Sequence, residues 1–511
     1  MHADISRDTF DPRSNTLRVV QEQGAVLLDA DANEQTAILL HRLHGLAADL
    51  FGPFWGPAGG SGFHIDWVDT THTDLTISPG RYYVNGLLCE NAPETPVTFL
   101  TQPAYPNAAL PDKPFDPAKP FAVYLEAWER EVPEAETRNI PGRIDPAFQA
   151  LSPAPRAQLV WQVKVFQAAT PDATALQPLY GADPWKAATA LSGLLFPPPP
   201  APPALQAQVV SAQTSSYNGD YSGPENQLYR VEIHRRGLPY PAGSGALPTS
   251  PKCATFKWSR DNGSVAFPLD LSAVDMSSGN PVWQPDANNQ FLVTLTNTGR
   301  DDRTILKIHD RVEYIDRAIV LTPNAFEDQP IRQLFEVVVV DSNSVTLRAP
   351  RAGAINLPVL PEKLTRWAFL RRWDFQLFGN APPLTTATGA PPQGDDGALV
   401  VVTPSAADTG SPSQEWLDME DQIQIRFPAA GPYHPGDFWL IPARTASGDV
   451  VWPQTAAKDK KGNPIRVPKT VPARPTRRYF APLAVFNSSA TNPLIDCRRQ
   501  ATLGALISPL A

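Results

Sequence analysis

The stretch LTISPGRYYVNGLLC, residues 75–89, decides the fold class. Apolar and polar side chains alternate in LTI and again in RYYV, which is typical of half-buried strands. Ser78-Pro79-Gly80 and Asn85-Gly86 separate these runs, and Asn-Gly is characteristic of a two-residue hairpin turn. The sequence therefore predicts a compact β-meander at this point.

Similar short runs, separated by turn residues, recur along most of the chain. The series between residues 206 and 375 has the spacing of a β-sandwich or barrel. The predicted strands outside the meander are 121–127, 158–166, 228–234, 254–258, 264–269, 291–296, 311–315, 319–322, 334–340, 344–347, 364–374, 416–419, 422–427, 437–441, 450–452 and 479–486.

Proline is the compositional outlier, with 57 residues among 511. Because proline lacks an N–H and fixes φ, it is excluded from helix interiors and central strands. This content predicts short elements, long ordered loops and few helices, and it argues against helical bundles and solenoids. The net charge of −9 does not suggest a nucleic-acid-binding protein, which normally carries a basic face.

One long helix is predicted over residues 31–51 from apolar residues at helical spacing. Asp29 or Asp31 is the expected N-cap, with Glu34 as its capping-box partner, and Gly52-Pro53 ends the helix. The apolar stripe is wide, so the helix is expected to pack against another surface.

The predicted fold is mainly β, with several β-sandwich or barrel-like domains, one N-terminal α-helix and long Pro-rich loops. Residues 1–52 form an extended segment plus the helix, and residues 53–205 form a β domain. That domain ends in a Pro-rich linker over 168–205. Residues 206–375 form a β-sandwich or barrel, and residues 376–511 form a C-terminal β region. The latter contains a long loop at 376–413 and a basic arm at 458–478.

No motif with catalytic spacing is present, so the chain is expected not to be an enzyme. It lacks a GxSxG elbow, a Walker loop, a GxGxxG after a strand and an HExxH. Acidic clusters are the remaining candidates, but adjacent strand residues point to opposite faces, so proximity in sequence is weak evidence for a glycosidase pair. The clusters are Asp8 with Asp11, Asp29 with Asp31, and Asp418 with Glu420 and Asp421.

Three other patterns resemble sites, and each has a simpler structural interpretation. Residues 29–34 resemble a calcium loop but lack its central glycine and its final glutamate. His41 and His44 lie one helical turn apart without a third metal ligand nearby. The turn 259–264 contains Ser and Asp, and His234 could lie near it, but no spacing rule supports a triad. No metal site and no cofactor are therefore predicted.

The three cysteines, Cys89, Cys253 and Cys497, are far apart in sequence and are expected to be buried apolar side chains. The N-terminus has no apolar signal region, and no stretch is long enough to span a membrane. We expect synthesis in the cytoplasm and no direct membrane insertion. A role outside the cell would then require release by lysis or as part of a particle.

The basic arm carries eight Lys or Arg residues against one Asp, and its four prolines predict an extended conformation. Docking onto an acidic neighbouring subunit is the preferred functional interpretation, and a solvated loop is the structural one. Nucleic-acid binding is disfavoured because the arm contains no aromatic residue on which a base could stack, the first one being Tyr479 directly after it. Twelve Trp residues could bind sugars, although Trp128, Trp161, Trp258 and Trp439 lie in predicted strands, where core packing is the default.

Several motifs together resemble an uncharacterised bacterial family that is encoded in contractile injection system and phage-tail-like particle gene clusters. The resemblance covers the whole chain. Its motifs are SRDTFDP (6–12), VQEQG (20–24), LDADANEQ (28–35), YLEAWE (124–129), RAQLVWQV (156–163), YRVEIH (229–234), ATFKWSR (254–260), NGSV (262–265), WLDME (416–420), GDFWLIPAR (436–444), WP (452–453), APLAV (481–485) and DCR (496–498). Ala32 stands where the family usually has Trp, and the region 140–155 lacks its better-defined helical insert.

The resemblance implies a structural component of such a particle, associated with the baseplate or attaching a fibre or spike, and it implies no catalytic residues. Its partners would be other subunits of the particle, including further copies of this chain. A receptor- or glycan-binding fibre protein and a polysaccharide-degrading enzyme are the alternatives. The residues expected to mediate docking are Phe10, Leu28, Ile38, Leu39, Leu43, Leu46, Leu50, Lys460, Lys461, Arg466, Lys469, Arg474, Arg477 and Arg478.

Overall fold

The structure is a computed structural model. It describes residues 2–70, 72–92, 97–104, 115–117, 119–137, 154–167, 173–195, 203–209, 221–241, 247–249, 252–272, 274, 282–297, 299, 301–322, 327–358, 367–374, 393–403, 416–428, 431–458, 462–487 and 494–501. Lys460 and Lys461 lie outside these residues.

The described residues form a mainly β structure. The helices are α1 (Asp29–Phe51), α2 (Glu134–Thr137), α3 (Pro184–Leu195) and α4 (Arg317–Leu321). The strands in the first part of the chain are β1 (Phe54–Pro57), β2 (Ile65–Trp67), β3 (Leu75–Ile77), β4 (Gly80–Val84), β5 (Leu87–Asn91), β6 (Val97–Thr98), β7 (Phe121–Val132), β8 (Arg156–Gln167), β9 (Ala204–Val209), β10 (Gln227–Arg235), β11 (Tyr240–Pro241), β12 (Thr255–Ser259), β13 (Ala266–Asp270), β14 (Val282–Trp283) and β15 (Gln290–Leu295).

The remaining strands are β16 (Arg311–Asp316), β17 (Leu334–Val340), β18 (Ser344–Arg348), β19 (Ile355–Asn356), β20 (Ala368–Trp373), β21 (Leu399–Val400), β22 (Val402–Thr403), β23 (Leu417–Asp418), β24 (Ile423–Arg426), β25 (Phe438–Arg444), β26 (Asp449–Val450), β27 (Gln454–Lys458), β28 (Pro464–Pro468), β29 (Val471–Pro472), β30 (Arg478–Phe486), β31 (Leu494–Asp496) and β32 (Gln500–Ala501). The prediction of a mainly β fold with an N-terminal helix is confirmed.

The predicted hairpin is present, with β4 antiparallel to β5. Asn85 and Gly86 have φ values of 49° and 81°, as a primed two-residue turn requires. Gly86 also meets a tertiary constraint, because a Cβ at this position would collide with the backbone of His44 in α1. The hairpin turn therefore lies directly against the helix.

The first β unit contains strands from both ends of the chain. Its sheets have the strand orders β32-β1-β4-β5, β2-β3-β6 and β31-β30-β7-β8. Strands β7 and β8 pair antiparallel along twelve residues each, and β30 lies on the other side of β7. The core of this unit includes Phe54, Phe121 and Leu483. The C-terminal strands are thus part of the N-terminal unit.

The predicted linker over residues 168–205 is wrong for its central part. Residues Ala173–Tyr180 form a 3-10 helix, and residues 184–195 form α3. Leu176, Leu179 and Leu191 are buried against Ala122 and Val485 of the first unit. The Ala- and Pro-rich composition concealed these apolar residues, which pack as core rather than spanning two domains.

Six strands form a closed barrel in the order β13-β15-β18-β17-β16-β20. In β15 and β18 buried residues alternate with less buried ones, and the core of the barrel includes Phe335 and Leu347. The predicted strand at 319–322 is wrong, because α4 occupies this position. The Asp316 carboxylate caps α4 by accepting the Ile319 N–H, which starts a helical turn immediately after β16.

A third core lies between the sheet β21-β12-β10-β25-β26 and the sheet β23-β24-β9-β29. Every residue of β10 and of β12 is buried, so these two strands show no exposed face. Trp258 and Trp439 fill this core, and Trp128 is buried in the first unit. The core interpretation of these three tryptophans is therefore confirmed.

The predicted domain boundaries at residues 52, 205 and 375 remain predictions. Some sheets combine strands from different predicted domains, as β30 and β7 do. The described part of the predicted loop 376–413 carries β21 and β22. Almost all of the region 140–155 lies outside the described residues.

We expect Leu483→Ala to destabilise the first β unit. Leu483 is fully buried, so its truncation leaves a cavity and should lower the free energy of unfolding by about 2–5 kcal/mol. Leu292→Ala, at a leucine that is 64% exposed on the barrel, should change it by less than about 0.5 kcal/mol. Denaturant unfolding of both variants measures this difference. Equal effects would contradict the placement of β30 in this core.

Candidate docking surface

The first residues of the chain are fixed to the body of the protein. Nε2 of His2 lies 2.8 Å from the Glu232 carboxylate, and the backbone N–H of His2 donates to Glu131. The Asn262 side chain donates to the carbonyl oxygen of Ala3 at 2.8 Å. The ring of His2 lies nearly perpendicular to that of Trp373, with their centroids 6.0 Å apart. His2 and Ala3 are therefore held against the rest of the protein.

His2 joins a buried charge cluster that the sequence did not reveal. Lys257 Nζ lies 2.6 Å from Glu313 and 3.3 Å from Glu232, and Arg332 lies 3.0 Å from Glu313. Burial, followed by the positive charges of Arg230 and Arg371, lowers the pKa of His2 well below its usual value. The imidazole is thus neutral at pH 7, and the cluster links β10 and β12 to the barrel strand β16.

Residues 6–19 then lie along α1 and replace the predicted capping box. The carboxylate of Asp29 accepts the N–H and the hydroxyl of Ser6, at 2.8 and 2.7 Å. The Thr9 hydroxyl donates to Glu34. The N-cap position is held by Leu28, and it makes no side-chain hydrogen bond. The predicted cap at Asp29 or Asp31 is therefore wrong, because long-range contacts use these polar groups instead.

The two faces of α1 have opposite environments. Ala30, Ile38 and Ala48 are buried at 1%, 1% and 5% exposure, so they anchor the helix to its own chain. Ile38 was predicted to dock onto a partner, and this is wrong because its side chain is already covered. Phe10 is half-buried, and its ring lies 5.5 Å from that of His41.

The outer face of α1 carries four leucines that face solvent. Their exposed fractions are 59% for Leu39, 61% for Leu43, 58% for Leu46 and 50% for Leu50. The extended chain before the helix adds Val26 and Leu27, at 80% and 74%. We define the docking surface as Leu17, Val20, Val26, Leu27, Leu28, Leu39, Leu40, Leu43, Leu46 and Leu50, all of which are exposed.

An apolar surface of this kind is characteristic of an interaction site. Single exposed leucines are normal on soluble proteins, but contiguous apolar patches are rare unless they bind a partner. The exposed residues lie on both a helix and the extended segment next to it. Leu28, Leu39, Leu43, Leu46 and Leu50 are exposed, and docking through them stays a prediction.

The basic arm is partly a hairpin, since β27 and β28 pair antiparallel with each other. Arg474 lies 2.8 Å from Asp8, and Arg478 pairs with the buried carboxylate of Glu126. These two cations therefore serve contacts within the chain. The side chains of Arg466, Lys469 and Arg477 are exposed and remain candidates for docking.

The carboxylates that could form an enzymatic pair have separate partners. Asp418 accepts from Gln424, and Asp421 accepts the hydroxyl of Tyr229 at 2.6 Å. Glu420 lies 3.0 Å from the guanidinium of Arg260. The other two clusters bind Arg474, Arg13 and Ser6 through Asp8, Asp11 and Asp29 respectively.

Glu420 is buried and has an unusual protonation equilibrium. Burial raises its pKa to about 8, because it outweighs the attraction of Arg260 and is reinforced by Asp374 and Asp421. Asp374, at 3.3 Å, also neutralises Arg260, so the guanidinium keeps its charge while Glu420 holds a proton.

The triad and metal interpretations gain no support from side-chain contacts. His234 bonds to the Arg332 carbonyl oxygen at 2.7 Å, and the Asp261 carboxylate pairs with Arg303 and Arg372. Among the described residues, no group of three or more His, Cys, Asp or Glu side chains could hold a metal ion. Cys89, Cys253 and Cys497 are buried free thiols, as predicted. None of the helices in the described part of the chain has the length and apolarity to cross a membrane.

Comparison with known proteins gives a family model and similarity to solved structures. A family model described as "Family of unknown function (DUF6519)" matches residues 1–189 and 186–474. A solved structure titled "Crystal structure of TssK" is 11% identical, with 70% of this chain and 99% of that chain covered and a TM-score of 0.15. No curated protein matches the sequence.

We expect the stability of the protein to fall between about pH 5 and pH 8 through Glu420. The folded state holds a proton that the unfolded chain, with a glutamate pKa of about 4.3, releases. The stabilisation is complete below that value and is lost as the pH rises through about 8, by at most about 1.4 kcal/mol per pH unit.

Glu420→Gln keeps the neutral form at every pH and should flatten this part of the dependence. Asp418→Asn, two residues away and half-buried, is the matched control and should leave it unchanged. Denaturant unfolding at a series of pH values measures both. An unaltered slope in Glu420→Gln would show that this carboxyl is ionised in the folded protein.

Proposed function

We propose that this chain, which belongs to the family of unknown function DUF6519, is a structural subunit of a phage-tail-like contractile injection particle. It would act by protein–protein docking, at the baseplate or where a fibre or spike attaches. The exposed apolar docking surface is the single observation that carries the docking mechanism. The particle itself rests on the full-length resemblance of the sequence motifs.

The docking mechanism uses a surface that is held ready rather than formed on contact. His2, Ser6 and Thr9 fix the N-terminal segment to the body and to α1. The outer face of the helix and the neighbouring segment 17–28 are thereby presented together. Because the helix is already ordered, little conformational entropy should be lost when a partner covers it.

The energy available from this surface is substantial. Full burial of a leucine side chain contributes about 1.5–3 kcal/mol. Several such residues in one patch can supply the apolar centre of a specific interface. The basic arm would add charge complementarity at the edge, where it guides association more than it adds affinity.

The setting that follows from this proposal is a particle rather than a membrane. The chain would be synthesised in the cytoplasm, assembled with other subunits and released with the particle by lysis.

We expect Leu43→Glu to reduce incorporation of the protein into particles. A carboxylate at the centre of the apolar patch would have to be desolvated when a partner covers it. Leu292→Glu is the matched control, because Leu292 is 64% exposed and Leu43 is 61% exposed. The ratio of this chain to other subunits in purified particles is the measurement. Wild-type stoichiometry for Leu43→Glu, or for a chain lacking residues 1–52, would refute the docking mechanism.

We also expect the combined change Arg466→Glu and Lys469→Glu to weaken attachment to an acidic neighbour. Reversing these exposed charges should raise the amount of protein lost from particles at low salt. The difference from the wild-type chain should shrink at high salt, because such contacts are screened. Lys119→Glu with Lys186→Glu is a control of equal charge change outside the arm, at side chains that are 50% and 84% exposed. Equal losses from both double variants would mean that net charge alone matters.

A further inference from the structure

The exposed leucines of α1 have the spacing that is typical of two helices packed side by side. Leu39, Leu43, Leu46 and Leu50 are separated by four, three and four residues. This alternation averages 3.5 residues, which keeps side chains on one seam where a second helix packs alongside. A helix that only covered its own domain would bury these positions, whereas here all four are exposed.

The geometry of the chain leaves this seam open to a partner helix. The buried anchors Ala30, Ile38 and Ala48 lie on the opposite side of α1 from the leucines. A helix approaching the seam would therefore meet the leucines first, with the body of the protein behind α1. Two such molecules can meet face to face, with their bodies on opposite outer sides.

The charges beside the seam select a second copy of this helix in antiparallel orientation. In this orientation Leu43 faces the partner's Leu46. Residues on one edge of the leucine seam then face residues on the same edge of the partner's seam. Arg42 and Asp49 are both exposed and both flank the seam on that side. Arg42 would then lie opposite the partner's Asp49, and two-fold symmetry would form this ion pair twice.

The other edge of the seam fits the same arrangement. Leu40 would lie opposite the partner's Ala47, so an apolar contact extends the leucine seam on that side. In a parallel pair Arg42 would face the partner's Ala47 instead, and no opposite charges would meet.

The guanidinium of Arg42 also makes a long contact of 3.4 Å with the Thr16 carbonyl oxygen, which holds it beside the helix.

We infer that the outer face of α1 binds the same face of a second copy of this chain, as an antiparallel helix pair about a two-fold axis near residues 44 and 45. This inference rests on the proposed docking function and names the partner that covers the leucine seam. Eight leucines, four from each copy, form the centre of the interface. The two Arg42–Asp49 pairs set its direction.

The oligomeric state of the purified full chain tests the inference, by sedimentation velocity over a range of concentrations. We expect a dimer, and Leu43→Glu combined with Leu46→Glu should weaken it at least ~100-fold, because each substitution acts twice in a symmetric interface. Leu292→Glu should leave the dimer unchanged. Near-identical melting curves for these variants would show that the fold is intact, since all three leucines are exposed. A monomeric wild-type chain would overturn the inference.

Charge exchange tests the pairing directly. Arg42→Glu should weaken the dimer about tenfold by placing like charges together, and the combined variant Arg42→Glu with Asp49→Arg should restore it. Restoration is the informative result, because a helix that had merely lost stability would not recover. A double variant no tighter than Arg42→Glu alone would contradict the pairing.

Cysteine crosslinking determines the direction of the helices. A chain with Leu39→Cys mixed with a chain with Leu50→Cys should form a mixed disulfide dimer under oxidation. Leu39→Cys alone should not crosslink to itself, because its two copies are far apart in the antiparallel pair. The native cysteines are buried. Self-crosslinking of Leu39→Cys would show a parallel pair and refute the inference.

The two proposals fail in different ways. A monomeric chain whose Leu43→Glu variant is still excluded from particles would leave the docking function in place with another partner on the seam. A dimer whose Leu43→Glu variant still enters particles normally would contradict the docking function and support self-association alone.

Discussion

The ion pair between Lys257 and Glu313 is the contact on which the rest of the arrangement depends. It joins a wholly buried strand, β12, to the barrel strand β16, and both side chains are almost completely shielded from water. Removing one partner from such a pair typically costs 3–5 kcal/mol, because the other charge is left uncompensated. Lys257 also pairs with Glu232, and the Glu232 carboxylate forms a hydrogen bond with the ring of His2. The position of the first residues of the chain therefore depends on the charge balance of a buried cluster.

Local signals predicted those elements whose conformation is set by nearby residues. The hairpin around Asn85-Gly86 formed as expected because both positions require positive φ, which these residues adopt easily. The extent of α1 was close to the prediction for the same reason, since helical periodicity and Gly52 define it locally. The capping box failed because Ser6 and Thr9 compete for Asp29 and Glu34, and no rule based on spacing anticipates partners so far away.

The surface itself was predictable only in part. A wide apolar stripe showed that α1 must pack, but it did not separate Ile38, which meets its own chain, from Leu39, which does not. That difference arises from the direction in which the body approaches the helix. The buried charges were missed for a related reason. Glu232 and Lys257 are paired across two neighbouring strands, and Glu313 reaches them from the barrel, so only the tertiary structure brings the three together. Helix α3 was hidden by alanine and proline, although Leu191 is fully buried.

The position of β30 beside β7 has a consequence for the order in which the protein forms during synthesis. Strand β7 ends at Val132, while its second neighbour begins only at Arg478 and is therefore translated much later. At about 5–20 residues per second, one edge of β7 waits on the order of tens of seconds for its partner. An unpaired edge invites pairing with other chains. Premature termination before β30 should thus produce an aggregation-prone product rather than a shorter functional protein, and nascent chains should depend on chaperones until β30 has been made.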